Sequence, residues 1–472
     1  MKKTLFLNPP SFGNFDGGAG SRYQMRREVR SFWYPTWLAQ PAAIVPGSRL
    51  IDAPARGLSL ADILPLAGDY ELAVLYTSTP SFPSDVKIAE ALKAKNPNLM
   101  IGFIGAHVAV LPEPSLAASG AIDFVARNEF DYTLLDVAEG KPFAEIDGIS
   151  YRSNGQIVHN RERAVLEDLD RLPSVLDVYK RDLVVEDYFG GYLLHPYLSF
   201  YTGRGCRSKC TFCLWPQTIS GHRYRARSPE SVAAEVARAK VLFPQVKEIF
   251  FDDDTFTDNR PRIEAIARLI GPMGVTWSCN AKPDVPFETL KVLKENGLRL
   301  LLVGYESGSQ KILNNIRKGT RVDIARRFQE NCHRLGIKVH GCFIVGLPGE
   351  TKETIEETMR FAIEVNPETI QVSLSAAYPG TELFRQATDN GWLLPGRLLG
   401  DDGLQISSLS YPELSSQEIF DSLPRFYRRF YFRPSKIGEI VGQMLSSPHW
   451  MKRRLREGFE FFRFLATRTE HA

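Results

Sequence analysis

No cysteine precedes Cys206, and only five follow it: Cys210, Cys213, Cys279, Cys332 and Cys342. Half of the six therefore sit within eight residues, where an oxidised framework would spread them along the chain. That clustering excludes a disulfide scaffold and favours a reducing, cytoplasmic compartment and a metal. Long apolar runs are also missing. Nothing approaches ~20 uninterrupted apolar residues, so no transmembrane helix is expected. The opening MKKTLFLNPPSFG starts like a secretion signal, but its apolar run stops at Asn8-Pro9-Pro10, too short for one. The formal net charge is only +3, which removes the global signature of a nucleic-acid binder. No G-x-G-x-x-G follows the first apolar run, which argues against a nicotinamide site. Internal repeats and low-complexity tracts are absent.

What remains is an ordinary globular composition, 43% hydrophobic and 24% charged, over 472 residues. That length suits two or three domains. Through about residue 140, short apolar runs (4–10, 48–54, 71–82, 100–110, 122–130) alternate with helical patterns such as 84–97. This βαβ alternation predicts a Rossmann-like parallel sheet over 1–140, with a ligand crevice at the carboxyl ends of its strands. Two alternating runs around Ser153-Asn154-Gly155 predict a hairpin over 146–160. The acidic stretch that follows reads as a linker, giving 141–194 as hairpin and linker. A second alternation fills 195–400, with strands at 197–202, 247–252, 275–279, 299–304, 338–344 and 369–374 and helices such as 228–243 and 354–365. Six such units predict a partial barrel with its reactive groups at the carboxyl ends of the strands. The fold class is therefore α/β, with a mostly helical tail over 401–472. From residue 421 onward that tail holds 11 Arg or Lys against 5 Asp or Glu, a balance of 11 − 5 = +6.

The chemistry concentrates in GCRSKCTFCLWP, residues 205–216. Cys206, Cys210 and Cys213 follow a strand directly, on a glycine-eased loop. A cubane iron–sulfur cluster usually takes four thiolates. Three leave one iron open, as a catalytic zinc keeps an open position. Other readings remain: buried structural cysteines, a zinc site closed by His222, or a structural or electron-carrying cluster completed by Cys279 or Cys342. Cys279 and Cys342, on strands, read more simply as small buried hydrophobes.

This triplet, with aromatic Phe212 before its last cysteine, resembles the cluster motif of the radical S-adenosylmethionine (SAM) superfamily. The resemblance continues along the barrel. FFDDDTFT (250–257) resembles the acidic motif near the methionine amino group, with Asp252, Asp253 and Asp254 as candidates. WSCNAKPD (277–284) resembles the third-strand segment, with Lys282 where an arginine is usual; a lysine meets a carboxylate only as a point charge. VGYESGSQKILNNIRKG (303–319) resembles the fourth-strand motif and places Glu306 and Ser307 near the ribose and carboxylate of SAM. GCFIVGLPGET (341–351), with Gly346, resembles the glycine-rich motif around the adenine, and AAYPGTEL (376–383) the sixth-strand ending. The resemblance implies Cys206, Cys210 and Cys213 as ligands of a [4Fe–4S] cluster whose open iron chelates SAM. It also implies reductive cleavage to a 5′-deoxyadenosyl radical, fed by a low-potential donor of flavodoxin or ferredoxin type.

A Rossmann-like domain ahead of such a barrel is similar to the cobalamin-binding class of this superfamily. The cobalamin motif D-x-H-x-x-G is absent. His107, the only histidine before residue 150, lies after the fourth strand rather than the first. It is the candidate there, and a histidine ligand to cobalt is not expected; cobalamin binding itself is left open. FLNPPSF, DGGAGSRYQ, RSFWYPTWLAQPA and CTFCLWPQTISGHRYRARS resemble the hopanoid-biosynthesis-associated radical SAM proteins. That resemblance implies a hopanoid lipid substrate and a radical ring contraction of its glucosaminyl side chain to a cyclitol ether. The alternatives are cobalamin-dependent methyl transfer to an unactivated carbon, and a non-enzymatic electron carrier or sensor. The segments SRYQMRREVR (21–30) and FWYPTWLAQP (32–41) suit either a channel for an apolar body or interdomain packing. The basic, aromatic tail suits either a peripheral membrane contact or a helical cap on the barrel.

Overall fold

The computed structural model describes residues 1–10, 19–20, 23–24, 28–396, 398–400 and 403–470. Most of DGGAGSRYQ and half of the 21–30 segment lie outside these. The first layer is a seven-stranded sheet: β1 (Thr4–Asn8), β2 (Arg49–Asp52), β3 (Leu72–Tyr76), β4 (Met100–Ile104), β5 (Phe124–Ala126), β6 (Ile149–Ser153) and β7 (Gln156–His159). Its order is β2-β1-β3-β4-β5-β6-β7. The first five strands are parallel. β3, LAVLY, is apolar without alternation because helices cover both faces of the sheet. The order reverses at β1, which places the crevice at the carboxyl ends of β1 and β3.

The expected hairpin forms, but not as a spacer. β6 pairs antiparallel with β5, and β7 with β6, so the hairpin completes the sheet. The acidic stretch expected to link the domains is likewise packed. Val175, Leu176, Tyr179, Val185 and Tyr188 are all buried. Most of its charged residues face water, Asp182 being buried against Arg49 and Arg181, while many of the apolar ones join the core, a pattern that average composition conceals.

The second sheet is wholly parallel and runs in sequence order: β8 (Tyr197–Phe200), β9 (Glu248–Phe251), β10 (Trp277–Ala281), β11 (Leu298–Glu306), β12 (Lys338–Val345) and β13 (Thr369–Leu374). Among the described residues β8 and β13 do not pair, so the barrel is open. An open edge strand invites unwanted pairing unless its donors are used. Here the N–H groups of Ile370, Val372 and Leu374 donate to Tyr431 Oη (2.9 Å), Tyr427 Oη (2.8 Å) and Gln405 Oε1 (3.2 Å). The helix Ser416–Tyr431 therefore closes the edge with its tyrosines, held by a Ser415–Glu418 capping box.

The aromatic segment 32–41 is interdomain packing. Tyr34 stacks on Tyr188 at 4.0 Å and donates to the Tyr197 carbonyl at 2.6 Å. Trp37 stacks on Trp215 at 4.5 Å. Trp33 opens onto a large cavity, and Thr36, Trp37 and Gln40 line a small one. The tail beyond Arg433 forms two helices, Pro434–Ser446 and Pro448–Glu470.

Candidate active site

The strand-to-helix connection after β8 carries all three clustered cysteines. Gly203–Arg204 pairs antiparallel with Arg225–Ala226, pinching the base of a loop that spans 205–224. Gly205 has φ 85°, and a Cβ there would overlap the Arg223 carbonyl oxygen, so only glycine closes this base. Cys206 and Cys210 are buried, Cys213 is half-buried, and all three are free thiols. Phe212 lies half-buried against the core. The helix Leu214–Thr218 begins immediately after Cys213.

Gln217, four residues after Cys213, holds the loop's shape. Its Nε2 donates toward the carbonyls of Cys210 (3.2 Å), Thr211 (3.2 Å) and Cys213 (2.7 Å). Its Oε1 accepts from the Glu382 amide at 2.8 Å. His222 Nδ1 faces the Ser208 carbonyl at 2.9 Å, so this ring braces the loop backbone. Among the described residues no three His, Cys, Asp or Glu side chains converge on one ion. Cys279 is fully buried on β10, where burial pushes its thiol well above the usual range.

The three acidic candidates after β9 separate. Asp253 is enclosed: it accepts from Thr202 N (2.6 Å), Thr202 Oγ1 (2.7 Å) and Tyr224 Oη (3.2 Å). Burial raises its pKa while Arg262 opposes the shift. It ties the β8 exit to the end of the cysteine loop. Asp252 accepts from Asn280 Nδ2 at 3.1 Å. Asp254 accepts from Ser220 Oγ at 3.3 Å. The next residue, Thr255, places Oγ1 3.6 Å from Cys206 Sγ.

On β11, Glu306 has φ 61° at an irregularity in the pairing with β12. It forms a 2.6 Å ion pair with Lys318, both side chains buried. Burial opposes the Lys318 charge, but Glu306 and the nearby Cys210 thiol outweigh it and hold its pKa above the usual lysine range. Gly304 leaves room for this pair, since a Cβ there would meet Glu306 Oε1 and push the carboxylate aside. Ser307, expected near the cofactor, follows Glu306 directly and is bonded within the scaffold. Its Oγ lies 3.0 Å from Thr358 Oγ1 and accepts from Ser309 N at 3.1 Å. Gly308 next to it packs so closely on the helix Lys352–Val365 that a Cβ there would overlap Phe361 and Thr358. Lys282 reaches Asp258 at 3.3 Å, and Asp258 also meets Arg207 of the cysteine loop at 3.3 Å. Gly346 has φ 83° and donates to Glu350 Oε2 at 2.6 Å, while its carbonyl accepts from Tyr411. Burial pushes the Glu350 carboxyl up to about 8.

The first sheet presents its carboxyl edge to this loop. The helix Ala106–Val110, after β4, packs on the helix Leu214–Thr218. His107 stacks on Phe82 at 4.4 Å with Nδ1 3.2 Å from Thr79 Oγ1, and burial lowers its pKa to about 4. Two arginines from the base of the cysteine loop fasten it to the loop after β5. Arg204 pairs with Asp131 through two hydrogen bonds of 2.6 and 3.1 Å. Arg225 pairs with Glu129, and all four side chains are buried. Neither Gln217 nor these four was expected from sequence. The i, i+4 spacing of Gln217 from Cys213 was available as a signal; the buried pairs had none.

Residues 200–362 match the family model of the radical SAM superfamily. The chain is 28% identical over 428 residues to an uncharacterized methyltransferase of Pyrococcus horikoshii, covering 87% of this chain and 90% of that protein. It is 27% identical over 331 residues to hopanoid C-3 methylase of Methylococcus capsulatus, covering 66% and 60%. Among solved structures it resembles the cobalamin-dependent S-adenosylmethionine radical enzyme OxsB, with a TM-score of 0.72, 16% identity and coverage of 98% and 72%. It also resembles the radical S-adenosylmethionine methyltransferase TsrM of Kitasatospora setae, with a TM-score of 0.70, 14% identity and full coverage of both chains.

Proposed function

From the premise that residues 200–362 form a radical SAM domain and that the chain is a radical SAM enzyme, we propose that it is a cobalamin-dependent methyltransferase acting on an unactivated carbon. The observation that carries this reading is the opposition of the two carboxyl edges, with the Ala106–Val110 helix packed directly on the helix that follows Cys213. A corrinoid held by the first sheet would then lie against the cysteine loop. Several relatives are named as methyltransferases and two as magnesium-protoporphyrin monomethyl ester cyclases, so methyl transfer is the better supported reading, and no relative's name points to the ring contraction of a hopanoid side chain. Hopanoid chemistry has the support of one distant relative, which is a methylase.

The residues present fit the implied groups. Cys206, Cys210 and Cys213 would hold a [4Fe–4S] cluster, with the loop pre-shaped by Gly205 and Gln217. Thr255 beside Cys206 and the Lys318–Glu306 pair beside Cys210 offer polar groups for the amino acid end of SAM. His107 stacks on Phe82 with Nδ1 held by Thr79, in the wall of the first sheet that would face a corrinoid. When bound, the cluster and one SAM supply the 5′-deoxyadenosyl radical, and cobalamin with a second SAM supplies the methyl group. The chain's part is to orient these groups, to exclude water through the buried Arg204–Asp131 and Arg225–Glu129 pairs, and to hold the Lys318 cation beside Cys210.

The test is anaerobic reconstitution with iron and sulfide, then dithionite and SAM with and without cobalamin. 5′-Deoxyadenosine and S-adenosylhomocysteine are followed by mass spectrometry, with Cys206→Ala as control. Both products, dependent on cobalamin, are expected. 5′-Deoxyadenosine without S-adenosylhomocysteine, whatever the cobalamin, overturns methyl transfer.

A further inference from the structure

Among the described residues, the exposed large apolar side chains are not scattered. Eight of the fourteen lie between 432 and 462: Phe432, Ile437, Val441, Leu445, Met451, Leu455, Phe459 and Phe462. Single exposed hydrophobics need no explanation, but a contiguous group does. On the helix Pro434–Ser446, Ile437, Val441 and Leu445 repeat at four-residue spacing and share one face. On the helix Pro448–Glu470, Leu455, Phe459 and Phe462 do the same, with Phe459 71% exposed. The two helices pack against each other, so the stripes lie side by side.

Beside the second stripe runs a cationic one. Lys452, Arg456 and Arg463 are exposed on the same helix. Acidic neighbours are fewer or occupied. Glu457 is buried against Arg453 and Arg454, Glu439 pairs with Lys436, and Glu460 accepts from the Arg30 amide. An apolar face rimmed by cations is the signature of a helix lying in an anionic lipid surface. A second copy of the chain is a poorer fit, because an isologous contact would bring the two cationic stripes together.

Beneath the stripes lies a cavity of about 630 Å³. Its outer wall includes Ile437, Val441, Leu455, Phe459 and Phe462 of the exposed face, together with Met444. Its inner wall is Trp33, Tyr192 and the first residues of β12 and β13, including His340 and Thr369. These lie at the end of the barrel opposite the cysteines, so this is a separate site. Its volume is in the range of a ligand pocket.

We infer that the last two helices dock on an anionic phospholipid bilayer and that the cavity beneath them admits an apolar chain from one of its lipids. Recruitment of this kind is independent of which reaction the cysteine loop performs. The experiment is cosedimentation of the full chain with vesicles of phosphatidylcholine alone or mixed with phosphatidylglycerol, at low and high salt. Binding is expected only to the mixed vesicles and weakens with salt. Phe459→Glu and Leu455→Glu, at exposed positions that the fold does not use, each lower the partition roughly tenfold to a hundredfold. Lys452→Glu with Arg463→Glu weakens it and removes the salt dependence. Brominated acyl chains quench part of the tryptophan emission, and Trp33→Phe abolishes that part. A chain that ignores both vesicle types refutes the docking. So does a dimer in solution that Phe459→Glu dissociates, since the face would then belong to a second copy. Vesicle binding without quenching of Trp33 refutes the cavity's role.

Discussion

Replacing Gln217 tests whether the cysteine loop is pre-shaped. The amide orientation follows from its partners: three carbonyls face its NH₂, and one amide N–H faces its oxygen. Two N–H groups shared among three carbonyls, plus one accepted bond, amount to about three net hydrogen bonds. At about 0.5–1.5 kcal/mol each, Gln217→Leu costs the loop roughly 2–4 kcal/mol. If an iron–sulfur cluster leaves only when the loop opens, that cost raises the opening population by a factor of roughly 30 to several hundred. The assay is the rate at which a chelator strips iron from the anaerobically reconstituted protein, alongside the global unfolding midpoint. Gln217→Leu should release iron faster while unfolding shifts by only a few degrees. Gln217→Glu should be worse, because an ionised carboxylate would face three carbonyl oxygens. Wild-type release rates in both variants would refute the reasoning and leave Gln217 as a bystander.

Arg225→Met leaves Glu129 buried without its main partner and should cost about 3–5 kcal/mol in denaturant unfolding. Arg225→Met with Glu129→Leu should recover much of that loss, because removing a whole buried pair is often nearly neutral; additive losses would show that the two residues do not act together. His107 ties stability to acid pH. Its folded pKa of about 4 lies below the ordinary 6.5, so the neutral ring is the folded form and its contribution is complete above 6.5. That contribution, at most about 3 kcal/mol, is lost as pH falls from 6.5 towards 4. Unfolding midpoints followed across that range should fall, and His107→Gln should flatten the fall.

The glycine requirements explain why so much of this site was legible. Gly205 and Gly304 stand where a Cβ would strike a carbonyl or a carboxylate, and the motifs around them are spaced accordingly. Strand positions were legible for the same local reason: β12 and β13 fall where the apolar pattern and turn residues put them. Less legible was the fate of polar side chains within the motifs. Asp252, Asp253 and Asp254 look alike in sequence, yet Asp253 turned into the scaffold because Thr202 and Tyr224 surround it. The Ser307 contact with Thr358 was not legible because the partner lies 51 residues away.

The sequence by itself determined the chemistry of the cysteine loop. Three thiols within eight residues, after a strand and before a helix, are local information that no distant contact needs to supply. It also determined the two βα alternations, because hydrophobic periodicity and turn residues act within a few positions. Only the tertiary structure decided that the supposed linker is core and that the hairpin finishes the first sheet. It alone brought Arg204 and Arg225 to Asp131 and Glu129, across 73 and 96 residues. It alone set two amphipathic helices with their apolar faces to solvent. These depend on which surfaces meet, and burial of charge and exposure of apolar area are properties of that meeting rather than of any segment read alone.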